Sequence, residues 1–143
     1  MTVARILKEK GRAVATVPEG ATLNDVITQL AARNIGALVV VDGAGAVAGI
    51  ISERDIVRIL AENPAGTLND TVSRHMSRPV ITCSERHTTA QLMTEMTNHR
   101  FRHLPVLEQG QLVGIVSIGD VVKQRFAEHD LEAHSLREYI TTG

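Results

Sequence analysis

The sequence predicts an α/β (α+β) fold of two βαββα repeats packed sheet to sheet with pseudo-two-fold symmetry. Three observations lead there. First, two segments, Ala13 to about Leu60 and Pro79 to about Phe126, carry the same order of apolar runs, turns and polar signals. Second, they are offset by 66 positions up to a hairpin turn and by 65 after it, so the single lost residue falls in a loop, where length changes are tolerated. Third, the hydrophobic 43% of the chain comes mostly from Val, Ile, Leu and Ala, with no Trp, one Tyr and two Phe, which suits strands and helices packed in layers. A chain of 143 residues can bury a core without metal or disulfide staples. Neither repeat is long enough to cover both faces of its own sheet, so the two are expected to stack as one globule.

The elements follow from period and punctuation. Val3 to Lys8 reads as a short helix before the first repeat. Val14 to Val17 is a strand ended by Pro18-Glu19-Gly20, and Thr22 can cap a helix whose apolar positions Val26, Ile27, Leu30 and Ala31 fall at helical spacing. Ala37 to Val41 is a continuously apolar strand, Asp42-Gly43 begins a hairpin turn, and Val47 to Ile51 returns as its partner. Ser52 then caps a helix through Ile56, Val57 and Leu60. Glu62 to Asn69 is a connector, followed by a short helix leading into Arg74-His75-Met76, the counterpart of the N-terminal one. The second repeat gives strand Val80 to Thr82, a helix from Thr88 through Leu92, Met93 and Met96, strands Leu104 to Leu107 and Leu112 to Val116, and a helix capped at Ser117. The division is therefore 1–66 for the first repeat with its leading helix, 67–126 for the second, and 127–143 for a charged helical tail with Leu131, Leu136 and Ile140 as contacts.

Charge and composition exclude several function classes. A net charge of −1 with interspersed signs gives no electropositive footprint, and the 2% aromatic content supplies no base-stacking platform, which argues against nucleic acid. Cys83 is the single cysteine, so no internal disulfide forms and a reducing, cytoplasmic setting is expected. Met1 to Lys8 lacks the apolar stretch of a secretory signal, and no apolar run has the length of a membrane span.

One motif occurs twice. Ser52 and Asp55, and again Ser117 and Asp120, place a hydroxyl and a carboxylate three residues apart at a helix start. A helix N-terminus offers N–H groups and positive potential to a phosphate, and a carboxylate one turn on can accept both hydrogens of a ribose diol. The same pair is also a capping box with Asp in place of Glu, and the residues alone leave both readings open. Arg54 stands between the first pair and Gly119 between the second, so the two sites are not chemically equal: Arg54 can reach a phosphate, Gly119 leaves room. Other signals fail. Gly43 to Gly49 has its last glycine one residue late for a dinucleotide fingerprint and leads into a strand, where a helix is required. Cys83 occupies the position of Val17 in the first repeat and reads as strand packing, while the histidines lack metal-ligand spacing. No nucleophile, base and orienting acid recur together, so no enzyme is expected and no catalytic residue is assigned.

The strings Gly49-Ile50-Ile51-Ser52-Glu53-Arg54-Asp55 and Gly114-Ile115-Val116-Ser117-Ile118-Gly119-Asp120, each behind a matching hairpin, resemble the cystathionine-β-synthase (CBS) domain. Two together resemble the pair called a Bateman module, over Val3 to Phe126, here expected to stand alone. The resemblance favours the ribose reading and implies two clefts, each taking its Ser/Asp from one unit and its first strand from the other. Asp120 would then face Lys10, Ala15 and the Ile35-Gly36 corner. Asp55 would face Met76, Val80, Ile81 and the Phe101-Arg102 corner. Backbone of Gly11 to Val17 and Ser77 to Thr82 would read adenine edges, and Arg102 and His103, ahead of Pro105 in their strand, would touch phosphates. The implied ligand is AMP or another adenine nucleotide (ADP, ATP, NAD or NADH), with no catalytic cofactor or metal. The implied role is sensing energy or redox state and signalling to an unidentified partner protein by conformational change, in a homodimer. The alternatives are an interaction module with empty clefts, or a binder of S-adenosylmethionine. The dimer expectation rests on Ile27, Ile56, Ile59, Met93, Met96 and Val121, more apolar side chains than one two-unit core should cover.

Overall fold

A computed structural model of the chain describes every residue except Pro64 and Gly143; the side chains of Ala133, Ser135, Leu136 and residues 138–142 are also outside the description. In order, the elements are α1 (Val3–Lys10), β1 (Thr16–Pro18), α2 (Leu23–Arg33), β2 (Ala37–Val41), β3 (Val47–Ser52), α3 (Glu53–Glu62), 3-10 turns at Thr67–Asn69 and Val72–Arg74, α4 (Thr89–His99), β4 (His103–Glu108), β5 (Gln111–Ser117) and α5 (Ile118–Thr142). Mixed α/β architecture is thus present, with two small sheets ordered β1-β2-β3 and β4-β5. β1 runs parallel to β2, with Val17 opposite Val40, and β2 runs antiparallel to β3, with Leu38 opposite Ile51.

Local signals terminate the elements. Thr22 caps α2 in a reciprocal box with Asp25, and Thr88 caps α4 in the same way with Gln91, each satisfying an otherwise orphaned N–H. Both helices end on a left-handed residue, Asn34 (φ 52°) and Arg100 (φ 59°). Behind these caps the two repeats bury matching positions: Val26 and Leu92, Leu38 and Leu104, Val40 and Val106, Ile51 and Val116, Ile56 and Val121. Each such side chain contributes roughly 1.5–3 kcal/mol over leaving it exposed.

The compact units cut the chain differently from the repeats. One unit holds Ala13–Ile81 with the hairpin tip Gln109–Leu112; the other holds Met1–Arg12, Thr82–Glu108 and the chain from Val113. Each repeat is therefore completed by the segment that precedes the other repeat in sequence. In the unit of the second repeat, Thr2 bridges Thr88, Val3 N–H donates to His87 O at 2.9 Å, and Leu7 lies against Gly114. In the unit of the first, 69 positions on, Thr71 bridges Thr22, Val72 N–H donates to Ala21 O at 2.7 Å, and Met76 lies against Gly49. The expected division at 66/67 does not coincide with the packing units, which exchange their leading segments.

Three expectations change. Val80 to Thr82 is not a strand: only Cys83 bridges β4, through Cys83 N–H to Pro105 O at 3.0 Å and Leu107 N–H to Cys83 O at 2.8 Å. Pro105 stands where β2 has Val39, whose N–H donates to Ala15 O at 3.2 Å, and a proline has no N–H to repeat that bond. The charged tail is no separate element but the continuation of α5; Leu131 is exposed, and the expected contacts of Leu136 and Ile140 fall outside the described residues. Finally, Ile56, Ile59, Met96 and Val121 are buried, and Ile27 and Met93 are half-buried. Most of the apolar surface assigned to a second copy is already covered by the chain itself.

Candidate functional site

Both Ser/Asp pairs sit at the junction of a returning strand and the helix after it, and both form a capping box. At α3, Asp55 N–H donates to Ser52 Oγ at 3.3 Å, while Asp55 Oδ2 accepts from Ser52 N–H at 2.8 Å and Ser52 Oγ–H at 3.0 Å. At α5, Asp120 N–H donates to Ser117 Oγ at 3.2 Å and Asp120 Oδ2 accepts from Ser117 N–H at 2.9 Å. The first N–H of each helix is also taken: Glu53 donates to Gly36 O at 2.9 Å and Ile118 to Arg102 O at 2.8 Å. Two of the first three N–H groups are thus occupied, and a phosphate could gain at most that of Arg54 or Gly119. The carboxylates keep capacity, since each has about four lone-pair sites and the box uses one oxygen. Both Asp residues are half-buried. The capping geometry is present, and it leaves acceptors for a ribose better supplied than donors for a phosphate.

The two sites carry different cations. Lys10, the last residue of α1, donates to Asp120 Oδ2 at 2.7 Å and to Ile115 O at 3.0 Å. Burial alone would raise the Asp120 carboxyl, but the Lys10 hydrogen bond, the Ser117 N–H, the Lys10 charge and the Ser117 hydroxyl together hold it below the ordinary aspartate value. Asp55 meets Arg58, one turn along its own helix, at 3.4 Å from Oδ1. Arg54 is exposed, as is Gly119, where an added Cβ would meet only Ser117 Oγ at 3.6 Å.

The remaining candidate residues divide between the units. With Ser52 and Asp55 lie half-buried Ile35 and Gly36, bonded as above, and Ala15, whose carbonyl accepts from β2. Met76 is buried, and Ser77 exchanges hydrogen bonds with Ile50 of β3 at 3.2 and 2.9 Å. Val80 and Ile81 are half-buried without forming a strand. With Ser117 and Asp120 lie exposed Arg102, half-buried His103 and buried Pro105; Phe101 stacks on His99 at 6.3 Å. The hydrogen bonds join each corner to the first N–H of the helix of its own repeat, Gly36 to α3 and Arg102 to α5. Cys83 is buried; desolvation first and the Glu108 charge second push its thiol up to about 12, so it holds no thiolate near neutral pH.

The model of the CBS domain matches the chain twice, over residues 3–62 and 72–126. The chain belongs to the CBS domain family. Among relatives, the mitochondrial CBS domain-containing protein CBSX3 of Arabidopsis thaliana is 33% identical over 99% of this chain and 73% of its own length. Among solved structures, the CBS-domain containing protein ATU1752 of Agrobacterium tumefaciens is 47% identical, with a TM-score of 0.84 over 87% of this chain and 92% of that one. Two neighbours carry adenosyl ligands. PAE2072 of Pyrobaculum aerophilum, 28% identical with a TM-score of 0.75 over 84% of this chain and 89% of that one, is complexed with AMP. The CBS domain pair of protein MJ0100, 26% identical with a TM-score of 0.79 over 90% and 98%, is complexed with 5′-methylthioadenosine and S-adenosyl-L-methionine. No helix among the described residues is long and apolar enough to cross a membrane.

Within the CBS pair, sequence reasoning misses three groups at the sites. Arg58 could be found from its three-residue spacing to Asp55 on a helix. The Ile115 carbonyl that receives Lys10 could not, because a backbone acceptor has no residue signature. Nor could the pressure of Met76 on Gly49 and of Leu7 on Gly114, which joins segments far apart in sequence.

Proposed function

We propose that this CBS pair is a regulatory module that reversibly binds an adenine nucleotide, AMP first and ADP, ATP, NAD or NADH next, and performs no chemistry of its own. The observation that carries the reading is the repeated cap: two half-buried Asp carboxylates, each fixed by a Ser N–H at a strand-to-helix junction and each beside a cation. A carboxylate so fixed is a preorganised acceptor for the 2′- and 3′-hydroxyls of adenosine. The adenosyl ligands of PAE2072 and MJ0100 support the same reading. A ligand held this way acts on a partner protein only through its differential affinity for two arrangements of the module. The proposal extends to a cytoplasmic homodimer, whose contact would use exposed Val57 of α3 and Phe126 of α5 instead of the side chains first considered. S-adenosylmethionine is the second reading, favoured by MJ0100.

Calorimetric titration of AMP into the wild type, Asp55→Ala and Asp120→Ala tests it. Each substitution removes a charge-assisted acceptor worth about 1.5–3 kcal/mol, so affinity at one site falls roughly tenfold or more. Asp25→Ala is the control, since it breaks an equivalent box on α2 that belongs to neither Ser/Asp pair and should leave binding unchanged. Wild-type affinity in both variants overturns the ribose assignment; a wild type that binds no adenine ligand favours an interaction module with empty clefts.

A further inference from the structure

We propose that Lys10 makes the α5 site select adenosine ligands by the charge at C5′, accepting a phosphate and rejecting a sulfonium. The inference rests on the reading that Asp120 holds the ribose. An ammonium has three donors, and two of those on Lys10 go to Asp120 Oδ2 and Ile115 O, at 2.7 and 3.0 Å. The third is left for a ligand. The group at C5′ hangs from the same ribose ring, so the charge it carries lies within about 8–10 Å, a Debye length, of a cation seated on the carboxylate that grips the diol. A phosphate there meets a charge-assisted donor, a neutral substituent gains nothing from it, and a sulfonium meets a like charge.

The cation is firmly placed. Leu7, one turn before Lys10, lies on Gly114, and the start of α1 is tied to the second repeat by the Thr2–Thr88 bridge and the bond from Val3 N–H to His87 O. The Lys10 and Asp120 side chains are 34% and 24% exposed, so the pair is partly withdrawn from solvent screening. Among the described residues, no cation of the equivalent segment is bonded to Asp55. In the segment packed on the first repeat Arg74 and His75 pair with Asp70, and the cation beside Asp55 is Arg58, 55% exposed and carried by α3 itself. The asymmetry between the sites, which the sequence assigns to Arg54 and Gly119, extends to Lys10 beside Asp120 and Arg58 beside Asp55.

The test is calorimetry of the full chain with AMP, adenosine, 5′-methylthioadenosine and S-adenosylmethionine, on an Asp55→Ala background that silences the α3 site. AMP should bind roughly tenfold tighter than adenosine and methylthioadenosine, with S-adenosylmethionine weakest. Lys10→Met should erase the advantage of AMP and the handicap of S-adenosylmethionine, and Lys10→Arg should keep both. If Asp55→Ala fails to fold, the same four ligands are compared by thermal shift in the wild type and Lys10→Met. Equal binding of AMP and adenosine, or an order unchanged in Lys10→Met, overturns the filter while leaving the nucleotide reading standing. If none of the four binds, that reading falls and the filter with it.

Discussion

Gly49 and Gly114 hold equivalent positions in the two repeats, and each is pressed by a side chain from outside its own repeat. A Cβ on Gly49 would come within 2.7 Å of Met76 Cγ, and one on Gly114 within 2.7 and 2.8 Å of the two Leu7 methyl groups. Neither glycine has the positive φ that would itself demand glycine; close approach is the reason for both. Gly49→Ala and Gly114→Ala should therefore each cost about 1–3 kcal/mol, the usual range for overpacking. Gly49→Ala should be the worse, because the clash reaches into the stem of Met76 and not only its tip. Gly119→Ala should be neutral or stabilising by up to about 1 kcal/mol, since its Cβ has room and alanine favours a helix. Urea unfolding of the three variants checks this ordering. At this scale the sequence displays the glycines but not their cause, because Leu7 and Met76 reach them only in the folded chain.

At the scale of elements, the helix starts are the most legible feature. Thr22, Ser52, Thr88 and Ser117 all cap where their spacing indicates, because a cap depends on residues three apart and on nothing distant. The strand expected at Val80 to Thr82 fails for the opposite reason: its pairing depends on the donor at position 105, and proline has none. The β4–β5 hairpin turns through Gln109 (φ 51°) and Gly110 (φ 76°), the two left-handed residues of a type I′ turn. Glycine fits its place; glutamine does not. Gln109→Asn creates the preferred Asn-Gly pair and should stabilise the chain by roughly 0.5–1 kcal/mol. Differential scanning calorimetry should show this as a rise of a few degrees in Tm.

For the whole molecule, the repeat is legible because the two core patterns match residue for residue, yet the exchange of leading segments is not. Val3 and Val72 look alike in sequence, and nothing in either says that each is buried with the repeat that does not follow it directly. The consequence for the candidate site is concrete. Asp120 owes its ammonium to a residue 110 positions away, brought there by the exchanged α1. The resemblance to CBS pairs already sets Lys10 opposite Asp120, but the bond of Lys10 to the Ile115 carbonyl emerges only from the fold. The account stands on the claim that Asp55 and Asp120 are ribose acceptors. The most direct measurement is a crystal structure of the chain grown with AMP. The account predicts the 2′- and 3′-hydroxyls of a bound AMP within hydrogen-bonding distance of the Asp120 or Asp55 carboxylate, with Ser117 or Ser52 still capping beneath. AMP bound with its ribose held by other groups, and both carboxylates engaged only in their caps, would contradict it.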